Sequence, residues 1–235
     1  MIELLNCDCM EYMATLPDKA FDLAIVDPPY GIGMDGNNHP KGTAACFDYR
    51  SGRSNNIRRN NYEGKEWDNN RPDQSYFDEL RRISKNQIIW GGNYFADFLP
   101  AQSCWVVWDK CNVGTHQSDC ELAWTSFNTA VRKYSFMWSG AWQGNPANGA
   151  EMQGNKKLNE KRIHPTQKPK QLYTWLLKNY AKDGDRILDT HLGSGSSAIA
   201  AHDGGFDFVG CEIDADYYAA ALKRFNIHKM QTKLF

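Results

Sequence analysis

Short apolar runs recur along the chain at Ile2–Leu5, Phe21–Val26, Gln87–Trp90, Cys104–Trp108, Glu121–Thr125, Arg132–Trp138, Arg186–Leu188 and Phe206–Cys211, and each predicts a buried strand. Helical periodicity lies between several of them. Pro72–Ile83 places Phe77, Leu80 and Ile83 on one side. Pro169–Ala181 repeats Leu172, Leu176 and Tyr180 with Tyr173 and Leu177 beside them, and Asp214–Phe225 carries Tyr217, Ala221, Leu222 and Phe225. Strands alternating with helices predict an α/β domain whose mostly parallel sheet is covered on both faces. Two stretches break the pattern, residues 31–71, rich in Gly, Asn and Arg, and residues 139–165. Loops of that length inside a domain tend to carry function. With no internal repeat and no linker, residues 1–235 read as one domain with two large excursions.

Composition sharpens this only slightly. At 41% hydrophobic and 23% charged residues, the chain is of ordinary globular make-up, and no run approaches the roughly 18 apolar residues of a membrane span. Met1–Asp8 carries Glu3 and Asp8 and no basic side chain, unlike a secretory or transit segment, so a cytoplasmic protein is expected. A net charge of −1 means that a nucleic-acid partner would have to be held by local basic patches. The seven cysteines include no CxxC pair, and buried free thiols are expected rather than a metal site.

Two segments carry chemistry. Asp27-Pro28-Pro29-Tyr30 directly follows the run Phe21–Val26. A residue before proline is held extended, and two prolines remove two backbone donors, so the segment becomes a stiff turn offering a carboxylate, bare carbonyls and an aromatic face. That set suits a planar group bearing an NH2; a plain strand-ending turn is the other reading. The second segment is Asp189-Thr190-His191-Leu192-Gly193-Ser194-Gly195-Ser196-Ser197. Gly193 and Gly195 allow close backbone approach, Ser196 and Ser197 open a helix whose N–H groups face a ligand, and Glu212 follows the next strand as an acceptor for ribose hydroxyls. This predicts an adenosine-type ligand, with an ordinary tight turn as the alternative.

Together the two segments resemble the β-class DNA adenine methyltransferases, in which Asp-Pro-Pro-Tyr precedes the glycine-rich segment. The likeness spans Ile2–Tyr30 and Ile163–Arg224 and is weaker between them. It implies a Rossmann-like methyltransferase fold, S-adenosylmethionine as cofactor, and a catalytic set of Asp27, Pro28, Pro29 and Tyr30. Asn6-Cys7-Asp8-Cys9-Met10 is similar to the family's N-terminal segment, which puts Asp8 and Cys9 at the cofactor; Asp8 also reads as a helix N-cap. His164-Pro165-Thr166-Gln167-Lys168-Pro169 resembles the segment holding the methionine end, so His164, Thr166 and Lys168 join the cofactor set, with Lys168 pairing its carboxylate or standing as an exposed lysine. Asp27, Asp189, His191, Gly193, Ser194, Gly195, Ser196, Glu212 and Ile213 complete that set. Trp90-Gly91-Gly92-Asn93 resembles a wall of the pocket and is taken as scaffolding. One departure is Thr190-His191, where the family usually has Pro-Phe. His191 offers a titratable ring in place of the Phe that packs on the cofactor, or is a histidine without such a role.

The expected partner is double-stranded DNA with its target base flipped out. The basic stretches that would hold it lie in the excursions: Arg50, Arg53, Arg58 and Arg59 in Tyr49–Arg59, and Lys156, Lys157, Lys161 and Arg162 in Lys156–Lys170. Each also reads as a solvated charged loop. The resemblance implies methylation of adenine N6 in the cytoplasm of a prokaryotic or phage-infected cell, by a protein that could form a homodimer. Cytosine-N4 or RNA amino-group methylation would use the same clamp. A dinucleotide oxidoreductase would leave Asp27–Tyr30 idle, and a non-catalytic nucleic-acid-binding module would use neither motif.

Overall fold

Nearly every side chain of Phe21–Val26 is apolar, which suits a strand covered on both faces, and this segment is the central strand β2. The computed structural model describes residues 1–34, 65–112, 118–139, 142–145 and 159–231, together with the backbone of 43–48 and 53–58. In chain order the elements are β1 (Ile2–Asn6), α1 (Cys9–Ala14), β2, β3 (Thr43–Asp48), β4 (Arg53–Arg58), α2 (Gln74–Ile83), β5 (Ser84–Trp90), β6 (Trp105–Asp109), β7 (Cys120–Thr125), β8 (Arg132–Ser135), β9 (Met137–Ser139), β10 (Trp142–Gly144), α3 (Lys170–Tyr180), β11 (Arg186–Asp189), α4 (Ser196–Gly204), β12 (Asp207–Glu212) and α5 (Ala215–Met230).

Eight strands form one sheet in the order β1-β12-β11-β2-β5-β7-β6-β8. All run the same way except β7, which is antiparallel to both neighbours. The expected Rossmann-like, mostly parallel sheet is therefore present. Leu23, Ile25, Ile88 and Trp90 pack with Leu172 and Leu176 of α3 and with Ile199 of α4 on one face. Phe21, Ala24, Val26 and Ile89 pack with Met13 of α1 and with Phe77 and Leu80 of α2 on the other. Strand order reverses beside β2, because β11 and β12 return from the far end of the chain. Ligands bind at such points in open α/β sheets, beyond the C-terminal strand ends. No helix among the described residues is long and apolar enough to cross a membrane.

Two local expectations are corrected and a third, the helix N-cap at Asp8, is borne out. The excursion at 31–71 contains an antiparallel hairpin, β3 against β4, with Thr43 opposite Arg58 and Asp48 opposite Arg53. Its ladder is backbone pairing, which the polar sequence Arg-Ser-Asn-Asn-Ile-Arg does not advertise. The run Arg132–Trp138 is two strands, since β8 pairs with β6 while β9 pairs with β10, and the chain turns at Phe136, whose N–H donates to Asp109 O at 2.9 Å. A short helix, α1, follows Asp8, whose Oδ1 accepts the Met10 N–H at 2.7 Å.

Truncation of Phe77, fully buried between α2 and the sheet, is expected to lower unfolding free energy by about 3–5 kcal/mol. Urea denaturation of Phe77→Ala measures this, and a change below about 1 kcal/mol would mean that α2 is not docked as described.

Candidate active site

The chain leaves β2 at Asp27 and is held by a residue far downstream. Asp68, 2% exposed, accepts the Tyr30 and Gly31 N–H groups on Oδ1 at 2.7 and 2.9 Å and the Met34 N–H on Oδ2 at 2.7 Å. Three backbone donors converging on one buried carboxylate fix the Pro-Pro-Tyr turn as rigidly as a strand would. Within the turn the Tyr30 hydroxyl donates to Asp27 Oδ1 at 2.6 Å. The Tyr30 ring rests on Gly91, whose φ is +70° and where a Cβ would come within 2.2 Å of that ring. The pair Gly91-Gly92 is thus required by close approach and does serve as scaffolding. Tyr94 lies flat against Tyr30, with ring centroids 4.8 Å apart and planes 16° from parallel.

Lys168 is buried, against the reading of an exposed lysine. Its ammonium donates to Asp27 Oδ2 at 2.5 Å and to the Tyr30 hydroxyl at 3.2 Å, and pairs with Glu121 Oε2 at 3.1 Å. The other Glu121 oxygen meets Lys110 at 2.6 Å. A buried ammonium needs anionic partners, and two carboxylates within reach satisfy that need. Burial pushes the Asp27 carboxyl above its ordinary range; Lys168 opposes the rise and Glu121 adds to it. Burial also pushes Glu121 up, but Lys168 and Lys110 outweigh it and hold that carboxyl down at about 2.

The second half of the site grows from β11, which pairs with β2 through Ile187 opposite Leu23 and Leu188 opposite Ala24. The glycine turn at the end of β11 therefore stands beside the Asp27 turn at the end of β2. Gly193 and Gly195 have φ of +52° and +74°, and a Cβ on Gly195 would lie 3.3 Å from that of Ala221, so α5 closes tightly on this turn. The Glu212 carboxylate accepts the Gly193 N–H at 2.8 Å and the Asp214 N–H at 2.9 Å, one on each oxygen. Each oxygen keeps a lone pair for a hydroxyl donor. Asp189, 1% exposed, accepts the His191 N–H at 3.0 Å and the Ser197 hydroxyl at 2.6 Å, and burial pushes its carboxyl up to about 7.

A cavity of about 320 Å³ opens beside this turn. It gathers Asp8, Cys9, His191, Glu212 and Ile213 from three separate segments, with Pro72 and Tyr76 of a fourth closing it. Burial pushes the Cys9 thiol up to about 12, so it is a wall and not a nucleophile. The remaining expected residues sit elsewhere around the turn. The His164 ring lies between Trp67 and Tyr217, at centroid distances of 5.1 and 4.3 Å, about 3.8 Å from where a Gly193 Cβ would be. Thr166 bonds to His164 Nδ1 through its hydroxyl at 3.2 Å. Ser194 and Ser196 face inward, their hydroxyls 3.0 Å apart, and Arg224 binds Ser194 O, the Ser196 hydroxyl and Glu160.

Of the basic residues expected at DNA, Arg50, Arg59, Lys156 and Lys157 lie outside the described residues. Arg53 and Arg58 terminate β4, whose backbone alone is described. Lys161 is exposed, whereas Arg162 lies over the Trp138 ring at 4.9 Å and donates to Trp138 O. Asp68, Glu121 and Tyr94 were missed by sequence reasoning, because an acidic or aromatic residue in an irregular segment carries no local signal of what it will meet.

A family model described as DNA methylase matches residues 112–223. That match takes in just under half of the chain and marks a likeness to the DNA methylases. Among curated proteins this chain is 26% identical to the Type II methyltransferase M.HinfI of Haemophilus influenzae, over 94% of its own length and 67% of the relative. It is 23% identical to M2.DpnII of Streptococcus pneumoniae, over 94% of its own chain and 88% of that protein. Among solved structures, the M1.HpyAVI–SAM complex superposes with a TM-score of 0.54 at 21% identity, covering 95% of this chain and 100% of that one. The PvuII DNA methyltransferase, described as cytosine-N4-specific, gives a TM-score of 0.56 at 11% identity, covering 100% of this chain and 88% of that one.

His191 has a testable electrostatic consequence. Burial pushes its imidazole down to about 4, so the ring is neutral near pH 7. In the unfolded chain it takes up a proton near pH 6.5. The folded state resists that proton, so this contribution to stability is full above about pH 6.5 and is lost as pH falls toward 4. His191→Phe is expected to flatten the fall in unfolding free energy between pH 7 and pH 4.5 by a few kcal/mol, read by urea titration at each pH. An unchanged slope would place the ring in water.

Proposed function

We propose that this protein is an S-adenosylmethionine-dependent DNA methyltransferase that transfers the methyl group to the exocyclic N6 of adenine, with Asp27, Pro28, Pro29 and Tyr30 as the reacting site. The observation that carries the reading is the pairing of β2 with β11, which sets an amino-group clamp beside a nucleoside-sized cavity. That cavity fits the adenosine half of the donor: it has a carboxylate with lone pairs to spare at Glu212, a neutral ring at His191, and a capped helix start at Asp8. Bound there, S-adenosylmethionine supplies an electrophilic methyl group.

The clamp works by accepting hydrogen bonds. Adenine's amino nitrogen is a poor nucleophile because its lone pair is delocalised into the ring. Asp27 and the Pro28 carbonyl each accept one N–H, drawing the nitrogen toward tetrahedral geometry and freeing that lone pair. Tyr30 and Lys168 occupy one acceptor position on each Asp27 oxygen, which fixes the carboxylate's direction and leaves a second lone pair on each for the substrate. Orientation and fixed acceptors supply the rate enhancement. A base in a duplex cannot reach this depth, so it is flipped out and stacked on Tyr30. Tyr94 covers a face of Tyr30 and is 39% exposed, so a base taking that face displaces it. Arg53, Arg58 and Lys161, with Arg50, Arg59, Lys156 and Lys157, are proposed to contact the phosphates. Cytosine-N4 offers the clamp the same NH2, and nucleoside analysis of the product separates the two.

Asp27→Ala is expected to lower transfer of tritiated methyl to unmethylated DNA at least a hundredfold while the thermal transition stays cooperative. Turnover near that of the wild type would refute the clamp. Gly195→Asp places a side chain against Ala221 at a backbone φ that disfavours it and adds a negative charge at a helix start. It should abolish the heat of S-adenosylmethionine binding in calorimetry; undiminished heat from a folded variant puts the cofactor elsewhere.

A further inference from the structure

A ladder of alternating charge runs from Asp27 through the buried Lys168 to the half-buried Glu121 and Lys110, with successive contacts of 2.5, 3.1 and 2.6 Å. The ladder crosses the C-terminal edge of the sheet from β2 to β7 and β6, and Lys168 passes over the Trp90 ring of β5 at 5.3 Å. Glu121 reaches this edge because β7 runs backwards. It is the second residue of that strand, and in an antiparallel strand the first residues lie where the neighbouring strands end. An ordinary parallel strand would have carried Glu121 to the opposite edge.

We propose that Glu121 is a positioning residue for methyl transfer, taking a share of the Lys168 ammonium and thereby setting how readily Asp27 accepts the proton released by the methylated amine. This rests on the adenine reading above. In that reaction the N–C bond forms as the C–S bond breaks, and the bonding pair goes to sulfur. The nitrogen then holds a cationic amine, one proton passes to the Asp27 carboxylate, and water takes it up afterwards. A carboxylate bonded to an ammonium that had no other anion nearby would be a poor acceptor, because gaining a proton would forfeit the pair. With Glu121 on the same ammonium, Lys168 keeps an anionic partner when Asp27 is neutralised, so the buried cation is never stranded. Lys110 does the same for Glu121. The other groups facing this cluster are the Tyr30 hydroxyl, Tyr173 of α3, Tyr76 of α2, Asp189 of β11 and His164, whose imidazole burial and then Lys168 push down to about 3. Burial holds all three tyrosines well above their ordinary range, so they stay neutral, while burial lifts the Asp189 carboxyl to about 7.

The test follows the Asp27 carboxyl by 13C NMR titration, assigned by loss of its signal in Asp27→Asn, alongside kcat against pH for methyl transfer to DNA. Glu121→Gln is nearly isosteric and removes one negative charge. It should move the Asp27 titration and the acidic limb of kcat together toward acid by about one pH unit. Lys168→Met should move both the other way; if that variant does not fold, Glu121→Gln decides alone. A purely structural Glu121 would lower melting temperature and kcat at every pH without moving either titration, and that outcome overturns the proposal. So does a shifted carboxyl titration with an unmoved kcat limb. Wild-type protein that transfers no methyl, with the titration shifts intact, overturns the reaction and leaves the ladder as bare electrostatics. An active wild type with an unmoved Asp27 titration overturns the ladder and leaves the reaction standing.

Discussion

The short parallel pairing of β11 with β2 is the contact on which the rest depends. These strands are far apart in the chain, and Ile187 opposite Leu23 and Leu188 opposite Ala24 bring their ends level. Everything chemical sits just past those ends: the proline turn on one, the glycine turn on the other. Closing so long a loop costs little more than closing a shorter one, because loop entropy grows only logarithmically. The apolar faces buried by β2 and β11 repay that cost on both sides of the sheet.

Much of this was legible in the chain because it is local. Phe21–Val26 and Pro72–Ile83 declare their buried faces by period, and Gly195 declares its turn by needing a left-handed backbone. Asp8, His191 and Glu212, each just past the end of an element or at its last residue, come together around one cavity. Lys168 shows where such reading stops. Its neighbours in sequence put it near the site, but which anion it meets depends on the direction of β7, and nothing in Cys120–Thr125 says that this strand runs backwards. Asp68 is a similar case. Its three N–H partners lie more than thirty residues upstream, across a segment with no periodicity to count along.

The two halves of the site differ in how they carry charge. Around the glycine turn, Glu212 and Asp189 are satisfied by backbone N–H groups and a serine hydroxyl, dipoles that cannot titrate or leave. Around the proline turn, full charges answer full charges. On the proposed function, fixed dipoles suit a pocket that holds one nucleoside unchanged, and mobile protons suit the place where an amine changes its charge.

One junction links these halves mechanically. Helix α2 ends at Ile83 and β5 begins at Ser84, with no residue between them to absorb movement. Tyr76 at one end of this continuous piece shares a 2.6 Å hydrogen bond with Thr190 and lines the nucleoside cavity, while Gly91, just past its other end, supports the Tyr30 ring. One unbroken stretch of backbone therefore carries both a wall of the cavity and the support of the Tyr30 ring.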